Sequence, residues 1–133
     1  MKTYGHQVLK EIPNLQQELQ APTKSTGTEQ VSKVLLWEYD LKCFNWDYMR
    51  AIVVQRVCER GHLTDFYAIL QLYGYETIKC IIKNEIKCFS SPYDLEFACY
   101  LFNIEITETK SYHHAEKRNK IFDKLQKGSD IDT

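Results

Sequence analysis

The stretch Asn45 to Gly74, NWDYMRAIVVQRVCERGHLTDFYAILQLYG, decides the fold. Trp46, Met49, Val53 and Val57 recur at intervals of three and four, and Ile52 widens the stripe. That spacing draws one apolar face on a helix. Asn45 is a favourable N-cap residue. Asp47 places negative charge in the first turn, where the helix dipole favours it. Arg56 and Arg60 fall in the last turn, and Gly61 follows at the C′ position. The chain restarts at Leu63-Thr64-Asp65 with Thr64 as the expected N-cap. Phe66, Ile69, Leu70 and Tyr73 form a second stripe that Gly74 closes. Two short helices, each ended by a glycine, predict a compact helical module.

The pattern continues downstream. A third helix is expected from about Glu76, with Ile78, Ile81 and Ile82 apolar and Ile86 at its far limit. Isoleucine favours strands, but intervals of three, one and four fit a helix rather than alternation. Ser90-Ser91-Pro92 is a strong helix start: Ser91 as N-cap, Pro92 at N1 and Asp94 at N3. That helix carries Leu95, Ala98, Cys99 and Phe102 inward and ends near Asn103. Ile104 to Thr107 alternates briefly. An amphipathic helix is expected from Tyr112 to Leu125, with Tyr112, Ala115, Phe122 and Leu125 on one side and Gly128 as its stop.

Upstream the character changes. Gln16, Gln17, Gln20, Pro22 and the run Thr23 to Thr28 give residues 1–32 few large apolar groups. Such a segment has little surface to bury against its ordering entropy and is expected to be a flexible arm. Leu9, Ile12 and Leu15, spaced by three, suggest one short docking turn broken at Pro13. The reading is therefore mainly α: a bundle of four to five short helices over 33–104, a flexible arm at 1–32 and a partly helical tail at 105–133.

Composition excludes several classes of function. The 133 residues carry 17 basic and 18 acidic side chains, for a formal charge of −1. Charge is evenly spread: three basic and three acidic residues in the arm, eight and nine in the core, six and six in the tail. No global field attracts nucleic acid or an anionic membrane. No apolar run approaches the ~20 residues of a membrane span, and Met1 to Gln20 lacks the apolar stretch of a secretory signal. A cytoplasmic location is expected. Cys43, Cys58, Cys80, Cys88 and Cys99 are odd in number and form no C-x-x-C pair, which argues against a disulfide framework or a simple zinc site. Free cysteines of this kind behave as small hydrophobes.

No reaction centre is recognisable. The sequence has no G-x-S-x-G, H-E-x-x-H, phosphate-cradling glycine loop or G-x-G-x-x-G. His113 and His114 are adjacent and would point about 100° apart on a helix, so they do not share a metal. Asp40, Asp47, Glu59, Asp65, Glu76 and Asp94 sit near predicted helix ends, where capping accounts for them. No enzyme activity, cofactor or metal is expected.

Two patches suggest binding. Arg56, Glu59 and Arg60 share one face of the first helix at intervals of three and four. They form either a solvated salt-bridged helix end or a docking patch for an acidic partner. The string Trp37-Glu38-Tyr39-Asp40, followed by Phe44 and Trp46, either packs the mouth of the core or exposes anchors of the type favoured at protein interfaces. A different reading follows from Lys79, Lys83 and Lys87, spaced by four. On a continuous helix they form one stripe, either an ordinary wet face or a row that meets phosphates. With Gly74 in the turn, residues 64–87 have the outline of a helix-turn-helix. Leu70 is larger than that motif prefers, and the reading helix lacks a cluster of Arg, Asn or Gln for base edges.

In order, Leu36-Trp37, Asp40, Phe44-Asn45-Trp46, Val57, Glu59-Arg60-Gly61, Tyr73-Gly74, Ser91-Pro92 and Phe102-Asn103-Ile104 resemble a family of small bacterial proteins of unassigned function. Its marks are an L-W-x-x-D opening, a V-x-E-R-G helix end, a Y-G turn and an S-P helix start. The resemblance covers residues 35–104. It implies genes that often lie beside nucleotidyltransferase-type toxins of abortive-infection systems, and hence an antitoxin-like or regulatory partner protein. His62 departs from the acidic residue that such proteins carry after the glycine. Two functions are therefore expected. The first is a non-enzymatic protein-interaction module using Trp37, Tyr39, Asp40, Arg56, Glu59 and Arg60. The alternative is a small DNA-binding repressor using Lys79, Lys83 and Lys87.

Overall fold

The computed structural model describes residues 14–131, with the side chains of Asn119 and residues 122–131 left aside. Leu9, Ile12 and Pro13 lie outside the described residues, as do the side chains of Phe122 and Leu125. The described chain is helical and contains no strand. Its helices are α1 (Leu15–Gln20), α2 (Arg50–Arg60), α3 (Leu63–Tyr73), α4 (Tyr75–Asn84), α5 (Pro92–Leu101) and α6 (Lys110–Ile131). Two 3-10 turns, Lys33–Leu36 and Ile106–Glu108, join them. The expected mainly α bundle is therefore what this sequence forms.

Helix α2 is the hub, packing on the first 3-10 turn, α3, α4 and α5. Val53, Val54, Val57 and Cys58 are fully enclosed, so the 3.6-residue stripe lands in the middle of the core. Each such valine contributes roughly 1.5–3 kcal/mol by leaving water. The helix begins at Arg50, later than expected. Residues 45–49 form turns instead, in which the Asn45 side chain accepts the Tyr48 amide at 3.0 Å. Arg50 then grips Glu85 with two hydrogen bonds of 2.9 and 2.5 Å, tying the start of α2 to the end of α4.

The two glycines act differently. Gly61 is extended (φ −73°, ψ 156°) rather than left-handed. A Cβ there would stand 2.6 Å from the Val57 carbonyl oxygen, so close approach is what demands glycine. Gly74 has φ +85° and ψ 156°, a region open essentially only to glycine. It alone separates α3 from α4. The N-cap of α3 is His62, not Thr64: the Asp65 carboxylate reaches back to the His62 amide at 2.9 Å. The Ser91 cap is as expected, with its hydroxyl oxygen accepting the Asp94 amide at 3.2 Å and Pro92 opening the helix.

Residues 14–32, read from composition as part of a flexible arm, lie packed against the bundle. Leu15 and Leu19 are each 1% exposed, and α1 packs on α5 and α3. This explains a second surprise. Phe97 and Leu101, outside the expected inward set of Leu95, Ala98, Cys99 and Phe102, are fully buried along with Ala98 and Phe102. Helix α5 is enclosed on both sides because α1 covers it. At the other end of the chain, Ile104 to Thr107 is not a strand. Thr109 is buried and caps α6, accepting the Tyr112 amide at 3.1 Å. Helix α6 starts before Tyr112 and runs through Gly128 to Ile131 rather than stopping there. It packs on α4 and on the second 3-10 turn, so the tail continues the bundle.

Candidate functional site

The first 3-10 turn decides what the surface presents. With three residues per turn, positions three apart stack on one side. Leu35 and Leu36 go inward, while Val34 and Trp37 stand outward, 74% and 78% exposed. The two exposed side chains form a ridge shared by two clefts. The first cleft, of about 430 Å³, runs between the turn and α2 and is walled by Trp37, Glu38, Gln55, Arg56, Glu59 and Arg60. The second, of about 470 Å³, lies on the other flank beside Lys33, Leu36, Tyr39, Asp40 and Lys42. Every one of the six residues expected at a partner surface thus borders this ridge.

They divide by role. Arg56 is the mount. Its guanidinium donates to the Leu35 carbonyl at 3.0 Å and binds the Glu38 carboxylate through both nitrogens, one contact at 2.7 Å. It also lies 5.8 Å from the centre of the Tyr39 ring. The hydrogen bonds from Arg56 hold the Glu38 carboxyl below the usual carboxylate range, and the same contact raises Arg56. Glu59 is likewise occupied: it accepts the Ser90 amide at 2.8 Å and the Gln55 side chain at 3.1 Å, fastening the 88–90 loop to α2. Asp40 accepts the Lys42 amide at 3.0 Å in a local turn. Tyr39 is half-buried and begins an aromatic row, with Phe44 at 5.4 Å and then Trp46 at 4.7 Å from Phe44. Those rings pack the mouth of the core; Trp37 is the one that stays outside.

What remains free is cationic. Among the described residues, Arg60, Lys33 and Lys42 make no ion pair or side-chain hydrogen bond, whereas Glu38, Asp40 and Glu59 all do. Lys33, Lys42 and Val34 were not singled out in the sequence. No local signal marks them, because their significance depends on which neighbouring charges are already satisfied.

The lysine row does not form a stripe. Lys79 and Lys83 lie on α4, but Lys87 falls beyond the end of that helix at Asn84. Lys83 pairs with Glu108 at 3.0 Å. The single residue Gly74 joins α3 to α4, and α4 is packed by α2, α3 and α6. Elsewhere, Cys58 and Cys99 are buried and burial raises both thiols, Cys99 to about 11. Among the described residues no group of His, Cys, Asp and Glu has the arrangement of a metal site, and no helix is long and apolar enough to cross a membrane.

No curated protein and no solved structure matches the chain. The match that exists covers the first 3-10 turn, α2, α3 and most of α4, which is the part that builds the ridge and its cations. Residues 31–82 match the model of a family described as "Family of unknown function (DUF6922)".

Proposed function

We propose that this protein is a non-catalytic interaction module that docks a partner protein on the Val34–Trp37 ridge. One observation carries the reading. A tryptophan and a valine are held out in water by a turn that Arg56 pins to the backbone and to Glu38. Isolated exposed apolar residues are ordinary. An exposed tryptophan on a turn pinned between two clefts is the form of an interface anchor, because the backbone that carries it is already held before binding. In the fuller form of the proposal, suggested by the family resemblance, the module is antitoxin-like and masks a cognate toxin or enzyme of the nucleotidyltransferase type.

The alternative, a DNA-binding repressor reading through residues 64–87, has less support. Its lysines are divided between a helix face, an ion pair and a loop. The test is a nuclease-treated pull-down of the tagged protein from its native extract, repeated with Trp37→Ala. One stoichiometric protein retained by the wild type and lost from the variant supports the module. Retention of DNA in the untreated extract, with no protein dependent on Trp37, overturns it in favour of the repressor.

A further inference from the structure

Resting on the docking reading above, we infer that the partner's binding element is an acidic linear segment with a large apolar residue between carboxylates. The argument is charge complementarity. Three carboxylates border the ridge, and internal hydrogen bonds occupy all three. Four cations border it, and among the described residues Arg56 alone of the four makes an ion pair or side-chain hydrogen bond. Arg60 stands at the wall of one cleft and Lys33 and Lys42 at the other, so the unpaired cations bracket Val34 and Trp37 from both sides. The near-zero charge of the whole chain conceals this local excess. A segment crossing the ridge places its apolar side chain against Trp37 while its carboxylates meet cations that have no competing partner among the described residues. Recognition of this kind steers association and weakens with salt. A neutral peptide gains no such contacts, and Arg60, Lys33 and Lys42 repel a basic one.

The test uses the full chain, ¹⁵N-labelled, and three probes. One is a synthetic peptide with a central Leu-Phe pair flanked by Asp and Glu, one is the same peptide with Lys in place of each acid, and one is a single-stranded oligothymidine. The expected result is that the acidic peptide alone shifts the Trp37 indole N–H and the Arg60 side-chain resonances. Its affinity should fall about tenfold or more in Trp37→Ala, and fall again between low and high salt. Equal binding of the lysine peptide, or no shift of Trp37 by the acidic one, overturns the inference. Shifts produced by the oligonucleotide alone replace the acidic segment with a nucleic acid. Repeating the native pull-down with Lys33→Glu, Lys42→Glu and Arg60→Glu combined separates the two levels. A partner lost with Trp37→Ala but kept by the charge-reversed chain removes the acidic segment and leaves the docking module standing. A partner kept by both removes the module as well.

Discussion

Gly61 and Gly74 end successive helices for different physical reasons, and their substitutions should behave differently. At Gly61 a methyl group meets the Val57 carbonyl oxygen at 2.6 Å inside the packed core. Gly61→Ala is expected to lower stability by about 1–3 kcal/mol through overpacking, because the atom in the way is backbone and no side-chain rotation clears it. At Gly74 the space is open and the backbone alone objects, at φ +85°. Gly74→Ala is expected to cost about 1–3 kcal/mol, with no relief from trimming neighbours. Urea denaturation of the two variants checks both, and a Gly61→Ala protein within about 0.5 kcal/mol of wild type would refute the overpacking account. The same contrast of roles holds on the ridge. Trp37→Ala should leave stability within about 0.5 kcal/mol of wild type, whereas Arg56→Ala should cost about 1–2 kcal/mol by freeing the Leu35 carbonyl and the Glu38 carboxylate. Equal melting curves for the two variants would show that Arg56 is not the mount.

The segment formed by α1 and the loop that follows it is held by polar clips as much as by its two leucines. Glu18 accepts hydrogen bonds from the Tyr67 hydroxyl, from the Thr23 amide and hydroxyl at 2.7 and 2.8 Å, and from the Lys24 amide at 3.2 Å. Glu29 accepts from Gln71 at 2.5 Å, and Asp65 accepts the Ser32 amide and hydroxyl, both at 2.7 Å. All three clips therefore land on α3. Gln16 adds a fourth, on the Tyr100 carbonyl and the Asn103 side chain at the end of α5. The hydrogen bond from Tyr67 leads in pulling the Glu18 carboxyl down to about 2, from 4.5 in the unfolded chain. A depressed carboxyl contributes stability that is complete above about pH 4.5 and fades as pH falls towards 2. Glu18→Gln should thus lower stability by about 1–3 kcal/mol at pH 7, with the gap from wild type closing between those two pH values. A gap independent of pH would refute the assignment. Leu19→Ala should cost about 2–5 kcal/mol, measured by thermal unfolding; a cost near zero would return the segment to the flexible arm expected from its composition.

At the scale of the whole molecule, the core helices and their ends at Gly61 and Gly74 were legible in the sequence. Helix formation is local: hydrogen bonds reach four residues, and the apolar stripe repeats within each element. Val53 to Val57, the Gly74 break and the Ser91-Pro92 start needed nothing from elsewhere in the chain. The ring of candidate residues around Trp37 was also legible in outline, because aromatic and arginine side chains advertise themselves. Their division of labour was not. Arg56 and Glu59 look equally available in the sequence, yet partners at Glu38 and Ser90 occupy them, 18 and 31 residues away. Lys33, Lys42 and Arg60 become the free charges only by that subtraction. Residues 14–32 look too polar to pack because their ties run to Asp65 and Tyr100, 33 and 84 residues distant. The sequence by itself determined the core helices and their breaks at Gly61 and Gly74, since those depend on neighbours along the chain. Only the tertiary structure decided which faces are covered and which charges remain unpaired, since satisfaction of a polar group depends on atoms brought together from across the chain.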